Sequence, residues 1–172
     1  MRSQDGNGSN ILWSVCAGDN IFGHDATDAA KSMDAAFAPA IALKVPWAAV
    51  LGNHDQENPT LNREGLMRHI VGMAYTLSSI NPDGLEIDGF GNYNLEVAGV
   101  EGSGLANKSV FNLYFLDSGD YSTVSKIGGY GWIKVSQQMW FLNVSSRLQV
   151  NSSGSKKHFF FNLIQMIQIS GT

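Results

Sequence analysis

The sequence predicts an α/β fold, and three observations carry that prediction. Apolar runs at residues 11–17 and 47–51 each stop abruptly at a polar loop, Gly18-Asp19-Asn20 and Gly52-Asn53-His54-Asp55. An Ala-rich, helix-forming stretch lies between the two runs, and an amphipathic stretch follows the second. Strand, polar loop, helix, strand, polar loop is the rhythm of a βαβ unit, whose functional groups gather at the strand ends.

Each element has its own warrant. The run at 11–17 is short and apolar, as a strand buried on both faces must be. Thr27 or Asp28 is suited to cap a helix that runs to about Phe37, where Pro39 is expected to interfere because proline lacks the N–H donor. Pro46 introduces the second strand, 47–51. From Asn62 to Ser79 the apolar residues Leu66, Ile70, Met73, Ala74 and Leu77 recur at three and four positions, which predicts one long helix. The turn Asn81-Pro82-Asp83-Gly84 ends it. Residues 92–100 and 110–116 read as two strands around a Gly-rich hairpin loop, and 132–148 as a last helix with Trp132, Trp140 and Phe141 in its core. In Leu116-Asp117-Ser118-Gly119-Asp120, Asp117 and Asp120 read as part of a turn capped by Asp and Ser rather than as a third acidic loop.

Composition narrows the function classes. Of 172 residues, 44% are hydrophobic and 15% charged, against a usual charged share of about 25%, which excludes a disordered chain. The net charge of −4 argues against nucleic-acid and membrane partners. That charge is unevenly spread. Six basic and fifteen acidic side chains give residues 1–120 a charge of −9, and five basic ones give the remainder +5. The first ten residues lack the positive charge of a signal n-region, so residues 11–17 read as strand rather than leader, and the chain reads as cytoplasmic. Cys16, the one cysteine, reads as a small buried hydrophobe. His24 reads as a loop residue and His69 as solvated, and no role is assigned to His158.

If the two strands are neighbours, Asp19, Asn53, His54 and Asp55 converge on one sheet edge. A carboxylate and an amide oxygen are hard donors suited to Mg, Mn or Fe, and a carboxylate can bridge two cations. Two cations about 3.5 to 4 Å apart stabilise both the attacking and the leaving oxygen of a phosphoryl transfer. A histidine beside them supplies a proton, and Asp55 can hold its other ring nitrogen.

The strings "GDN" at 18–20 and "GNHD" at 52–55 resemble the calcineurin-like metallophosphoesterase superfamily. The longer strings "GDNIFGHDATDAAKS", "PWAAVLGNHDQE", "FGNYNLEVAG" and "NKSVFNLYFLDSGDYS" are similar to the plant purple acid phosphatase group whose members are often labelled inactive. The resemblance implies a sandwich of mixed β-sheets flanked by helices and the hydrolysis of a phosphate ester at a dinuclear Fe, Mn or Zn centre. It implies that Asp19 bridges the two metal ions, that Asn53 binds one of them, and that His54 contacts the phosphate with Asp55 as its orienter. It also implies an upstream aspartate and histidine and a later GHxH, which this sequence lacks, so the metal site is expected to be incomplete. Phe22 stands where coloured members carry tyrosine. The resemblance divides the chain into an unrelated segment 1–10, a partial phosphoesterase domain 11–149 and a divergent tail 150–172, truncated at both ends. Intact relatives are typically secretory. The alternative is a non-catalytic fragment or pseudoenzyme acting as an interaction module.

Overall fold

The computed structural model describes residues 2–4, 10–57, 60–99, 101–106 and 108–150. Its strands are β1 (Arg2–Gln4), β2 (Asn10–Leu12), β3 (Ser14–Ala17), β4 (Trp47–Val50), β5 (Tyr93–Ala98) and β6 (Ser109–Phe115), and its helices are α1 (Ala29–Ala42), α2 (Arg63–Val71) and α3 (Val135–Val150). The chain is α/β, as its sequence predicts. The strands pair two by two: β1 with β2 antiparallel, β3 with β4 parallel, and β5 with β6 antiparallel.

The parallel pair positions the site. Ser14 lies opposite Trp47 and Ala17 opposite Val50, so β3 and β4 end level and release their loops side by side. All four residues of β4 are buried, which explains an apolar run with no alternation. The expected strand 11–17 is split in two by the buried Trp13, its first part turning to pair with β1.

Helix α1 starts where Asp28 caps it, the carboxylate accepting the Lys31 N–H at 3.1 Å. It buries Ala29, Met33 and Phe37, and Phe37 stacks on Trp47 with ring centroids 4.1 Å apart. The helix does not stop at Pro39 but continues to Ala42. Pro39 and Ala35 lie on the exposed face, where water can satisfy the carbonyl that the proline cannot serve.

Helix α2 is shorter than its periodicity predicts. Asn62 caps its start and Gly72 its end, so Met73, Ala74 and Leu77 are not helical. The chain instead runs parallel beside β4, where Trp47 donates to the Tyr75 carbonyl at 3.1 Å and accepts from the Leu77 N–H at 2.6 Å. Met73 and Ala74 lie in a turn that Tyr75 closes at φ 61°, and Ala74 and Leu77 are exposed, so the apolar spacing here marks no single buried face.

The second half of the chain joins the first through Tyr93. Its hydroxyl donates to the Ala49 carbonyl at 2.7 Å and its ring stacks on Phe115 at 4.4 Å. Helix α3 begins at Val135 rather than Trp132 and packs Trp140 and Val144 against Tyr114 and Leu116, a cluster separate from the main core. Trp132 lies before the helix with Lys134 Nζ 3.5 Å from its ring centroid. Cys16 is half-buried. No helix among the described residues is long and apolar enough to cross a membrane. The tail from residue 151 lies outside the described residues.

Candidate functional site

Where β3 ends, Gly18 and Asp19 both take positive φ, 91° and 49°, and turn the chain sharply towards the loop after β4. The two loops meet backbone to backbone. A Cβ on Gly52 would lie 2.1 Å from Asp19 Oδ1 and 2.2 Å from Asp19 N, and one on Gly23 would lie 2.5 Å from the His54 carbonyl oxygen. Only glycine at both positions lets the loops close to this distance.

A buried carboxylate fastens the junction. Asp55 is 0% exposed and accepts the Gly52 N–H at 2.7 Å, the Ile21 N–H at 2.9 Å and the Asn20 side-chain amide at 3.0 Å. Asn20 also donates to the Val50 carbonyl at 3.0 Å. Burial pushes the Asp55 carboxyl up, and the donors from Ile21, Gly52 and Asn20 pull it back. Asp55 therefore ties loop to loop; it does not orient His54. Two of its three N–H donors come from the other loop, and the Nδ1 of His54 lies against a different carboxylate.

That role falls to Glu57. His54 Nδ1 lies 2.9 Å from Glu57 Oε1, and the same oxygen accepts the Tyr121 hydroxyl at 2.7 Å. Tyr121 first, then His54, hold the Glu57 carboxyl below the usual range, and Glu57 in turn pushes Tyr121 up to about 12. An ionised carboxylate accepts only, so Nδ1 carries the proton and Nε2 is the outward nitrogen of the ring. The ring leans on Phe22 with centroids 5.4 Å apart. Glu57 and Tyr121 are absent from the sequence prediction. A carboxylate three residues after His54 was the available signal for Glu57; Tyr121 is 64 residues away and gave none.

Asp19 and Asn53 are brought to this junction. Asp19 Oδ1 accepts the His54 N–H at 3.1 Å, and Asn53 is 3% exposed. Beneath the loop lies a second carboxylate, Asp117, 1% exposed and paired with Arg63. Arg63 Nε donates to it at 2.8 Å, while its terminal nitrogens donate to the Gly52 carbonyl at 2.8 Å and the Leu51 carbonyl at 3.0 Å. Asp117 also accepts the Phe90 N–H at 2.7 Å and the Gly119 N–H at 2.9 Å. The expected turn cap is thus half of the description: the same carboxylate is a buried counter-ion that holds the loop after β4 from below. His69 is not simply solvated; its Nε2 lies 2.8 Å from Asp34 Oδ1 and links α2 to α1. His24 is an exposed loop residue.

The fit of a dinuclear metal centre turns on the donor set. Among the described residues no three His, Cys, Asp or Glu side chains gather closely enough to share a cation. Asp19 and Asn53 are two hard donors where a dinuclear cluster needs several more. The described residues do not fit that group.

Comparison with known proteins gives a consistent lineage. The chain is 61% identical over 137 residues to "Probable inactive purple acid phosphatase 29" of Arabidopsis thaliana, a match covering 78% of this chain and 35% of that protein. It is 48% identical over 141 residues to "Probable inactive purple acid phosphatase 14" of the same plant, covering 79% of this chain and 35% of that protein. It is 40% identical over 127 residues to "Phosphatase DCR2" of Saccharomyces cerevisiae, covering 72% of this chain and 21% of that protein. The chain therefore spans about a third, or less, of the length of these relatives. No family model and no solved structure matches it.

Proposed function

We infer, for a chain homologous over most of its length to purple acid phosphatases, that it carries the phosphate-facing half of a phosphoric ester hydrolase site. One observation supports this above the others: the Asp55-fastened junction sets Asp19, Asn53 and His54 at one edge of the β3–β4 pair. In this reading the two loops belong to a larger sandwich of mixed sheets, and Asp19 and Asn53 would be two of the several ligands that a metal centre there would need. The chain's own contribution is narrower. Asn53 and Asp19 present oxygen donors, and His54, its Nδ1–H held by Glu57, would donate from Nε2 to a phosphate oxygen or to the departing alkoxide only as the doubly protonated imidazolium, whose charge the Glu57 carboxylate stabilises. The substrate class is a phosphate ester, with neither nucleic acid nor membrane as partner.

A second reading is favoured by two observations, the "probable inactive" names of the plant relatives and the donor set that does not fit a cluster. It takes the chain as a non-catalytic member that keeps the half-site for binding. One experiment separates them. Turnover of an aryl phosphate monoester with manganese or iron, falling by about 100-fold or more in His54→Ala, supports hydrolysis by this chain. Absence of turnover, with amide shifts around His54 on adding phosphate in the presence of zinc, supports the binding reading. Neither turnover nor shifts overturns both.

A further inference from the structure

A groove of about 950 Å³ lies between α3, the start of β5 and residues 79–87. Its walls are apolar: Leu85 and Met139 line it while 55% and 52% exposed, and Trp140 forms part of its floor. Its charged lining is Asp83, Glu86 and Arg147, a net negative rim.

We propose that this groove is the docking site of the chain's own C-terminal segment, residues 159–169. Three features point to that occupant. Eight of those eleven residues are large and apolar, namely Phe159, Phe160, Phe161, Leu163, Ile164, Met166, Ile167 and Ile169, and leaving them in water is costly. The segment begins within reach. Helix α3 ends at Val150, its last turns already line the groove, and the connector 151–158 spans up to about 26 Å when extended. The helix from Ser136 to Val150 is about 21 Å long, so the connector reaches any point of the groove. Charge agrees as well: Lys156 and Lys157 immediately precede the apolar segment, and Asp83 and Glu86 stand on the rim. The proposal is independent of the phosphoester reading, because the groove shares no residue with the loop junction.

The test is photo-cross-linking of the full chain carrying Met139→p-benzoylphenylalanine, in a mixture of isotopically light and heavy protein. Cross-links from position 139 to residues 159–169 within one chain are the expected result. Cross-links between light and heavy chains, cross-links to any other segment, or none at all overturn the proposal. Lys156→Glu with Lys157→Glu is expected to lower the intramolecular yield by about threefold, the scale of two screened surface pairs, and Asp83→Lys with Glu86→Lys to restore it. An unchanged yield in the first pair of variants overturns the placement of Lys156 and Lys157 at the Asp83–Glu86 rim.

Discussion

Asp55 and Asp117 are both buried carboxylates, and they hold opposite sides of the same loop by different means. Asp55 accepts from uncharged N–H groups of Gly52, Ile21 and Asn20, and so fixes one loop against another at the edge where chemistry would take place. Asp117 faces a cation, Arg63, whose remaining donors reach the carbonyls of Leu51 and Gly52, and so fixes the loop to the body beneath it. The difference teaches where the sensitivity lies. Removing an acceptor from neutral donors leaves polar groups unsatisfied, whereas removing one member of a buried ion pair leaves a charge uncompensated, the costlier defect.

The largest effect is therefore expected at Asp117. Asp117→Ala leaves the Arg63 guanidinium buried without its partner and should cost about 3 to 5 kcal/mol, read from urea denaturation. Replacing both residues, as Arg63→Met with Asp117→Leu, is expected to recover only part of that loss, because the Phe90 and Gly119 N–H groups and the Leu51 and Gly52 carbonyls lose their partners; if the double variant is as unstable as the single one, the uncompensated charge is not what makes the single variant unstable. A smaller loss follows at Asp55. Asp55→Asn keeps the shape but turns an acceptor into a donor facing N–H groups, at a cost of about 1 to 3 kcal/mol. Its distinguishing sign is local: amide signals of residues 18–21 and 52–54 should shift while those of α3 stay in place. A shift confined to His54 would instead restore Asp55 as the histidine's orienter.

The smallest effect belongs to Tyr121. Its hydroxyl, held by Glu57, loses its proton at about 12 rather than about 10. The folded state keeps that proton more tightly than the unfolded chain, so the bond's contribution is fully present below about pH 10 and is lost as pH rises towards 12. Spectrophotometric titration should show a tyrosine near 12 that Tyr121→Phe removes, while Tyr93 and Tyr114, pushed up by burial, stay late in the variant. If Tyr121→Phe removes only a tyrosine titrating near the ordinary value, the Glu57–Tyr121 bond is not held in solution.

How much of this was legible follows from what each residue's neighbours in sequence reveal. The β3–α1–β4 unit and both loops were legible because apolar runs, caps and glycines are local signals, and Asp28, one of the two residues suited to cap α1, does cap it. The end of α2 was not, since Met73, Ala74 and Leu77 keep a helical spacing while Gly72 ends the helix and a turn at Tyr75 brings the chain beside Trp47. Pro39 misled in the other direction, because the penalty of a proline depends on whether the orphaned carbonyl faces water. At the site, the meeting of the Asp19 and His54 loops was legible from two strand ends. The division of labour between Asp55 and Glu57 was not, since both are carboxylates near His54 and only the fold determines which one is turned inward.

The close approach of Gly18, Gly23 and Gly52 has a consequence for ligand binding. Loops that meet backbone to backbone have already surrendered their conformational freedom when the chain folds. A phosphate or cation arriving between Asp19 and His54 would find its donors in place, and its affinity would not be reduced by an ordering entropy at the moment of encounter.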